Sequence, residues 1–257
     1  MRAVILAIVL TLWLPLAARA FETEEARFFP AAEADSREIS ILSTTDGSVM
    51  APVIADFQKS HPGIAVRYTV ASSQAVFSAI YDEGLPFDLA ISSAMDLQMK
   101  LANDGLAAPH PSSQAARIPA WAHWQDRIFA FAQEDVVLLV SRKALGTLPL
   151  PETRRDLIEL LREHPAVFHG RVGTYDPMLS GAGYLFATQD SRQSDSFWRL
   201  AEVMGNLAPR LYVSTSDMID DVKSGRLAIA YNALGSYAAP RFADDPDVII
   251  VALQDYT

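Results

Sequence analysis

The stretch G-R-V-G-T-Y-D-P-M-L-S-G-A-G-Y, residues 170–184, decides how this chain is read. Residues 171–175 have the composition of a strand, Asp176-Pro177 turns, and Ser180-Gly181-Ala182-Gly183 opens a helix. Unpaired backbone N–H groups and the positive end of a helix dipole meet at such a point, and small residues let an anion approach closely. A Gly-rich turn also arises for purely structural reasons. The recurrence of the pattern along the chain is what gives it weight.

Upstream, residues 39–43 form a short apolar strand, and Thr44-Thr45-Asp46-Gly47-Ser48 is a turn rich in helix N-cap residues. Val49, Val53, Ile54 and Phe57 then recur at helical spacing until His61-Pro62-Gly63. Ile64, Val66, Tyr68 and Val70 alternate as a strand, and Ser72-Ser73 leads into a helix carrying Val76, Ala79 and Ile80. Residues 87–91 are a third strand, and Ser92-Ser93 precedes a helix with Leu97 and Leu101. Alternating units of this length predict an α/β fold with a parallel sheet and right-handed crossovers. In such sheets the turns at the strand carboxyl ends gather along one edge, where ligands bind. Thr44, Thr45 and Asp46, Ser72 and Ser73, and Ser92 and Ser93 are therefore expected to face one crevice. Each turn alone could be no more than a helix cap.

Downstream, residues 109–119 read as a Pro/Ser/Ala-rich loop, and Trp121, Trp124 and Phe129 suit core packing better than ligand stacking. Residues 133–141 are a buried strand, residues 142–151 a polar stretch where the chain crosses between domains, and residues 152–162 an amphipathic helix. Beyond Tyr184 come a helix at 195–205, a strand at 211–213, and a helix capped by Ser214-Thr215-Ser216. A strand at 227–231, a turn at Asn232 into another helix, and a strand at 248–253 follow. The second half repeats the grammar of the first without repeating its sequence.

Residues 1–20 combine a basic start at Arg2, an apolar run and the small-residue site Ala18-Arg19-Ala20, which together read as a cleavable signal peptide and imply export to the periplasm. Residues 21–37 read as an acidic, irregular surface arm. Losing Arg2 and Arg19 with the signal takes the net charge from −10 to −12, a poor match for nucleic acid. The absence of cysteine excludes disulfides, thiolate metal sites and cysteine nucleophiles. His61, His110, His123, His164 and His169 show no metal-ligand or triad spacing, and no H-E-x-x-H or G-x-S-x-G occurs. A periplasmic hydrolase is therefore a minor alternative, and the chain is read as a binding protein without enzymatic activity or cofactor.

Four segments carry a resemblance: I-L-S-T-T-D-G-S-V-M-A-P-V-I-A-D-F-Q-K-S-H-P-G-I-A-V (41–66), F-D-L-A-I-S-S-A-M-D (87–96), residues 170–183, and G-R-L-A-I-A-Y-N-A-L-G-S-Y-A (225–238). From residue 38 onward the chain resembles the periplasmic solute-binding proteins of ABC importers, near the ferric-ion and phosphoglycerate-associated binding proteins. The resemblance implies a type II periplasmic-binding-protein fold, each lobe a mainly parallel sheet flanked by helices, with lobe one at 38–135 and lobe two at 136–257. It implies one small ligand held between the lobes by Thr44, Thr45, Asp46, Ser72, Ser73, Ser92 and Ser93 from lobe one, and by Ser180, Gly181, Ala182, Ser214, Thr215 and Asn232 from lobe two. Its partner would be an ABC permease or a membrane sensor kinase, and its default state a monomer.

Ferric-binding relatives hold iron with adjacent tyrosines, whereas this chain has Tyr231-Asn232-Ala233 and a separate Tyr237. Asp46 and Tyr231 are the ligands that iron would use. A small oxyanion, phosphorylated or carboxylated, fits hydroxyls and helix N-termini better. The resembling family also returns to lobe one after a strand placed like 248–253, so the reading expects a C-terminally truncated clamp with a single crossover and an exposed lobe-one edge.

Overall fold

The computed structural model describes residues 21–33 and 36–256; the signal-peptide reading of 1–20 lies outside them. Lobe one is built from β1 (Glu25–Phe29), β2 (Arg37–Ser43), α1 (Gly47–Ser60), β3 (Ile64–Val70), α2 (Ser73–Tyr81), β4 (Leu89–Ile91) and α3 (Met95–Asn103). Its sheet runs β1-β3-β2-β4, with β2 parallel to both neighbours, Ile41 opposite Tyr68 and Leu42 opposite Ala90. Strand alternation sends Ile41, Val66, Tyr68 and Val70 to one face, where Met50 and Ile54 of α1 cover them. Leu42 and Ala71 go to the other face, beneath Val76 and Ala79 of α2. Covering both faces is what removes these apolar side chains from water.

The segment expected to be an irregular arm is not one. Glu25–Phe29 pairs antiparallel with β3, Phe29 opposite Val66, and Phe29 packs on the α1 side of the sheet. An edge strand needs only one side paired and one face buried, so E-A-R-F-F suffices. The third strand is also shorter than expected, Leu89–Ile91 alone, with Leu89 about half exposed at the sheet edge.

After α3 the chain forms a small hairpin, β5 (His123–Trp124) with β6 (Ile128–Phe129), before entering lobe two. Lobe two contains β7 (Val136–Ser141), α4 (Arg142–Leu145), α5 (Arg154–Glu163), α6 (Pro165–Phe168), β8 (Val172–Tyr175), α7 (Gly181–Gln193), α8 (Ser196–Asn206), β9 (Arg210–Tyr212), α9 (Thr215–Lys223), β10 (Ile229–Leu234), α10 (Gly235–Arg241) and β11 (Val248–Val251). Its sheet runs β11-β7-β10-β8-β9, parallel across β10, β8 and β9 and antiparallel on both sides of β7.

The run V-V-L-L-V in β7 is uniformly apolar because both faces are covered. Leu138 and Val140 meet Leu157, Leu161, Phe168 and Leu200; Val137 and Leu139 meet Met218, Ile219 and Val222. The interdomain crossing expected at 142–151 therefore lies earlier, ahead of β7, and Arg142 instead begins α4. Helix α5 starts with a reciprocal capping box, the Thr153 hydroxyl accepting from Asp156 N–H and the Asp156 carboxylate accepting from Thr153 N–H. The last described residues stay on lobe two, where Gln254 N–H donates to Glu152 O at 2.8 Å.

Candidate functional site

Helices α1, α2 and α3 open from the carboxyl ends of β2, β3 and β4; α7, α9 and α10 open likewise from β8, β9 and β10. The two sets of helix openings meet. Gly181 N–H donates to Ser73 Oγ at 2.6 Å, Ser216 Oγ donates to the Asp46 carboxylate at 2.8 Å, and Asp46 N–H donates to the Tyr237 hydroxyl at 3.2 Å. These contacts define a crevice between the lobes. Gly181 is required by the closeness of that approach: a Cβ there would lie 2.6 Å from Ala94 Cβ and 2.7 Å from Ser73 Oγ.

Asp46, Ser73 and Gly181 are thus brought together where the two lobes meet. Thr44 Oγ1 accepts from Ser93 N–H at 3.3 Å and its own N–H donates to Ile91 O, tying the first and third turns together. Thr45 N–H donates to Ser43 Oγ, while its carbonyl accepts from Tyr68, whose phenol burial pushes up to about 12 and so keeps as a donor. Ser72, Ser180 and Ser214 cap α2, α7 and α9 by accepting from Ala75, Gly183 and Asp217 N–H; Ser92 Oγ accepts from Ala94 N–H. Ala182 is buried beside them.

Two side chains turn away. Thr215 is buried, its hydroxyl shared with Tyr175 and accepting from Leu234 N–H. Asn232 sits in a bulge of β10 at φ +63° and donates its side-chain amide to Asp190 at 3.0 Å, inside lobe two. The left-handed backbone at that bulge redirects a residue that regular alternation would place differently. Sequence reasoning missed Ser216 and Tyr237 as crevice residues; the run Ser214-Thr215-Ser216 held the signal for the first.

The crevice is electrically uneven. Gly47 N–H, at the start of α1, donates to a carboxylate oxygen of Glu25 at 3.1 Å, and Arg27 pairs with that same carboxylate. The positive end of α1 is therefore already matched by an acid from β1. Loss of hydration first, then Asp46, Asp217 and Glu22, raise the Glu24 carboxyl above its ordinary 4.5, although its side chain reaches solvent. A carboxyl raised on folding contributes stability that is present below 4.5 and is lost as pH climbs through the folded value. Glu24→Gln should accordingly raise the melting temperature near neutral pH and leave it unchanged below that ordinary value. Thermal melts across pH check this, and an equal gain at both ends would remove the charge argument.

Lobe two also holds a buried polar cluster. Arg154, 3% exposed, donates to the Tyr231 hydroxyl at 2.7 Å, to Asp190 at 3.2 Å, to Asp255 at 2.8 Å and to Tyr256 O at 2.6 Å. The Tyr256 ring lies 3.4 Å from the guanidinium carbon. Tyr231 donates to Asp190 at 2.7 Å, so that carboxylate, 4% exposed, has three donors. Burial, then the Asp190 charge, pushes the Tyr231 phenol far above its usual value. Its hydroxyl is held between Arg154 and Asp190 while Asp46 faces Ser216, so Asp46 and Tyr231, the pair considered for iron, belong to different environments. Among the described residues no group of three or more His, Cys, Asp or Glu could hold a metal ion.

The family described as bacterial extracellular solute-binding protein matches residues 42–256. A solved structure described as the substrate-binding protein of an ABC transporter from Agrobacterium tumefaciens is 36% identical with a TM-score of 0.86, covering 90% of this chain and 70% of that one. A two-component system protein described as mediating signal transduction is 14% identical with a TM-score of 0.65, covering 85% and 71%. Iron-bound HitA from Pseudomonas aeruginosa is 17% identical with a TM-score of 0.64, covering 83% and 69%. The last two share the fold alone. Comparison with curated proteins finds no match.

Proposed function

The chain belongs to the bacterial extracellular solute-binding proteins, and from that footing we propose that it captures a small oxyanion, phosphorylated or carboxylated, between its two lobes in the periplasm. Delivery is to an ABC permease, with a membrane sensor as the other receiver. The observation that carries the reading is the head-to-head meeting of α2 and α7, where Gly181 N–H reaches Ser73 Oγ across the crevice. Helix openings aimed at one space from both sides suit an anionic group that can accept from each. Glu24 is close enough to Asp46 of its own lobe and Asp217 of the other to feel both charges, and α1 is already served by Glu25. That asymmetry favours a ligand that carries a positive group at its other end, since an ammonium there would neutralise acids now facing one another.

The test is a thermal-shift and calorimetry panel of phosphorylated and carboxylated metabolites, each with and without an amino group, alongside Fe³⁺. Saturable stabilisation without turnover, strongest for an amino-bearing anion and insensitive to chelator, is the expected outcome. A coloured protein that bleaches with chelator would replace the oxyanion with iron, and product formation would point to the hydrolase alternative.

A further inference from the structure

Asp46 stands at the N-cap position of α1, yet its carboxylate makes no cap bond, unlike the hydroxyls of Ser72, Ser180 and Ser214 at their own helices. It accepts instead from Ser216 Oγ, in the first turn of α9 and on the other lobe. The opening of α1 is served from a different element. Gly47 N–H donates to one carboxylate oxygen of Glu25, and Arg27 holds the other. Glu25 and Arg27 lie two residues apart on β1 and so share a face of that strand. Glycine at 47 admits them: a Cβ there would lie 2.9 Å from both Arg27 Nε and Glu25 Oε2.

We propose that Glu25 is a positioning residue for solute capture: by capping α1 in place of Asp46, it frees the Asp46 carboxylate to clasp lobe two through Ser216. The two duties of Asp46 compete. Capping requires the short side chain to fold back over the N–H groups of Ser48 or Val49, which withdraws it from a partner on another element. With Glu25 in place, the carboxylate is released towards α9, whose positive end favours it. Lobe two grips the same residue a second time, since Asp46 N–H donates to the Tyr237 hydroxyl at 3.2 Å. The clasp is made of the protein's own groups, so the assignment does not depend on which solute is captured.

The experiment measures lobe separation in the ligand-free protein by double electron–electron resonance. Spin labels go on Asn103→Cys of lobe one and Arg199→Cys of lobe two, both exposed, in a chain with no other cysteine. Ser216→Ala should lower the closed-to-open ratio about tenfold, the size of one hydrogen bond to a charged group. Glu25→Ala should lower it by a similar factor. Gly47→Ala, whose new Cβ has to push the Glu25–Arg27 pair aside, should do the same with Glu25 intact. Glu25→Gln keeps an acceptor for Gly47 N–H and should restore most of the closed population. The combination Glu25→Ala with Ser216→Ala should be no more open than Ser216→Ala alone, because both act through one carboxylate. A mere loss of helix capping would lower the melting temperature and leave the distances unchanged. Additive opening in the double variant, wild-type distances in Glu25→Ala and Gly47→Ala, or a wild type already as open as Ser216→Ala would each overturn the assignment.

Discussion

Gly181→Ala should weaken ligand capture about ten- to a hundredfold, and Gly181→Asp by two or three orders of magnitude more, with both lobes still folded. The first figure is steric. The new Cβ would lie 2.6 Å from Ala94 Cβ, and Ala94 has no flexible side chain to move aside. Overpacking of this kind costs ~1–3 kcal/mol, and each ~1.4 kcal/mol is tenfold in affinity. The cost falls on closure, because Ala94 and Ser73 belong to lobe one and Gly181 to lobe two. Aspartate adds a carboxylate where the ligand's anionic group is proposed to lie, worth ~4 kcal/mol of repulsion at 4 Å and an effective dielectric near 20. Calorimetry on the best solute of the panel, with small-angle scattering to follow lobe separation, reads both effects. If Gly181→Ala binds as well as the wild type, the α2–α7 contact has no part in capture.

Arg154→Ala should cost ~3–5 kcal/mol of folding stability, read from urea denaturation. The arginine itself is not the expensive part. Its removal leaves Asp190 buried at 4% exposure with only the neutral donors of Tyr231 and Asn232. The segment around Asp255 and Tyr256 loses its anchor at the same time. Changing both charges together, Arg154→Met with Asp190→Leu, should recover most of the loss, because a buried pair gains little over an apolar one once neither charge is orphaned. A loss below ~1 kcal/mol in the single variant would mean that Asp190 does not depend on Arg154 for its charge balance.

Lobe one was readable where physics is local. Ile64, Val66, Tyr68 and Val70 alternate, and the hydroxyl-rich turns before α1 and α2 announce helices whose apolar spacing then confirms them. β1 was not readable: the short mixed segment Glu25–Phe29 becomes a strand only because β3 has a free edge beside it. Crevice residues on strand-to-helix turns, Asp46, Ser73 and Gly181, could be named from the turns alone. Tyr237 could not, since nothing local says that α10 aims its hydroxyl at Asp46. Arg154 and Asp190 were hidden for another reason. Each lies on a helix of ordinary charged composition, where the default is a solvated face, and only tertiary packing buries them together.

Strand β1 also bears on how the protein could be used in the laboratory. Thr23 is exposed and stands next to Glu24, the residue that feels Asp46 from its own lobe and Asp217 from the other. The chain has no cysteine of its own. A single Thr23→Cys change would therefore give one unambiguous attachment point for an environment-sensitive dye, within ~10 Å of the crevice rim. Such a conjugate would turn lobe movement into fluorescence and make the protein an optical sensor for its solute.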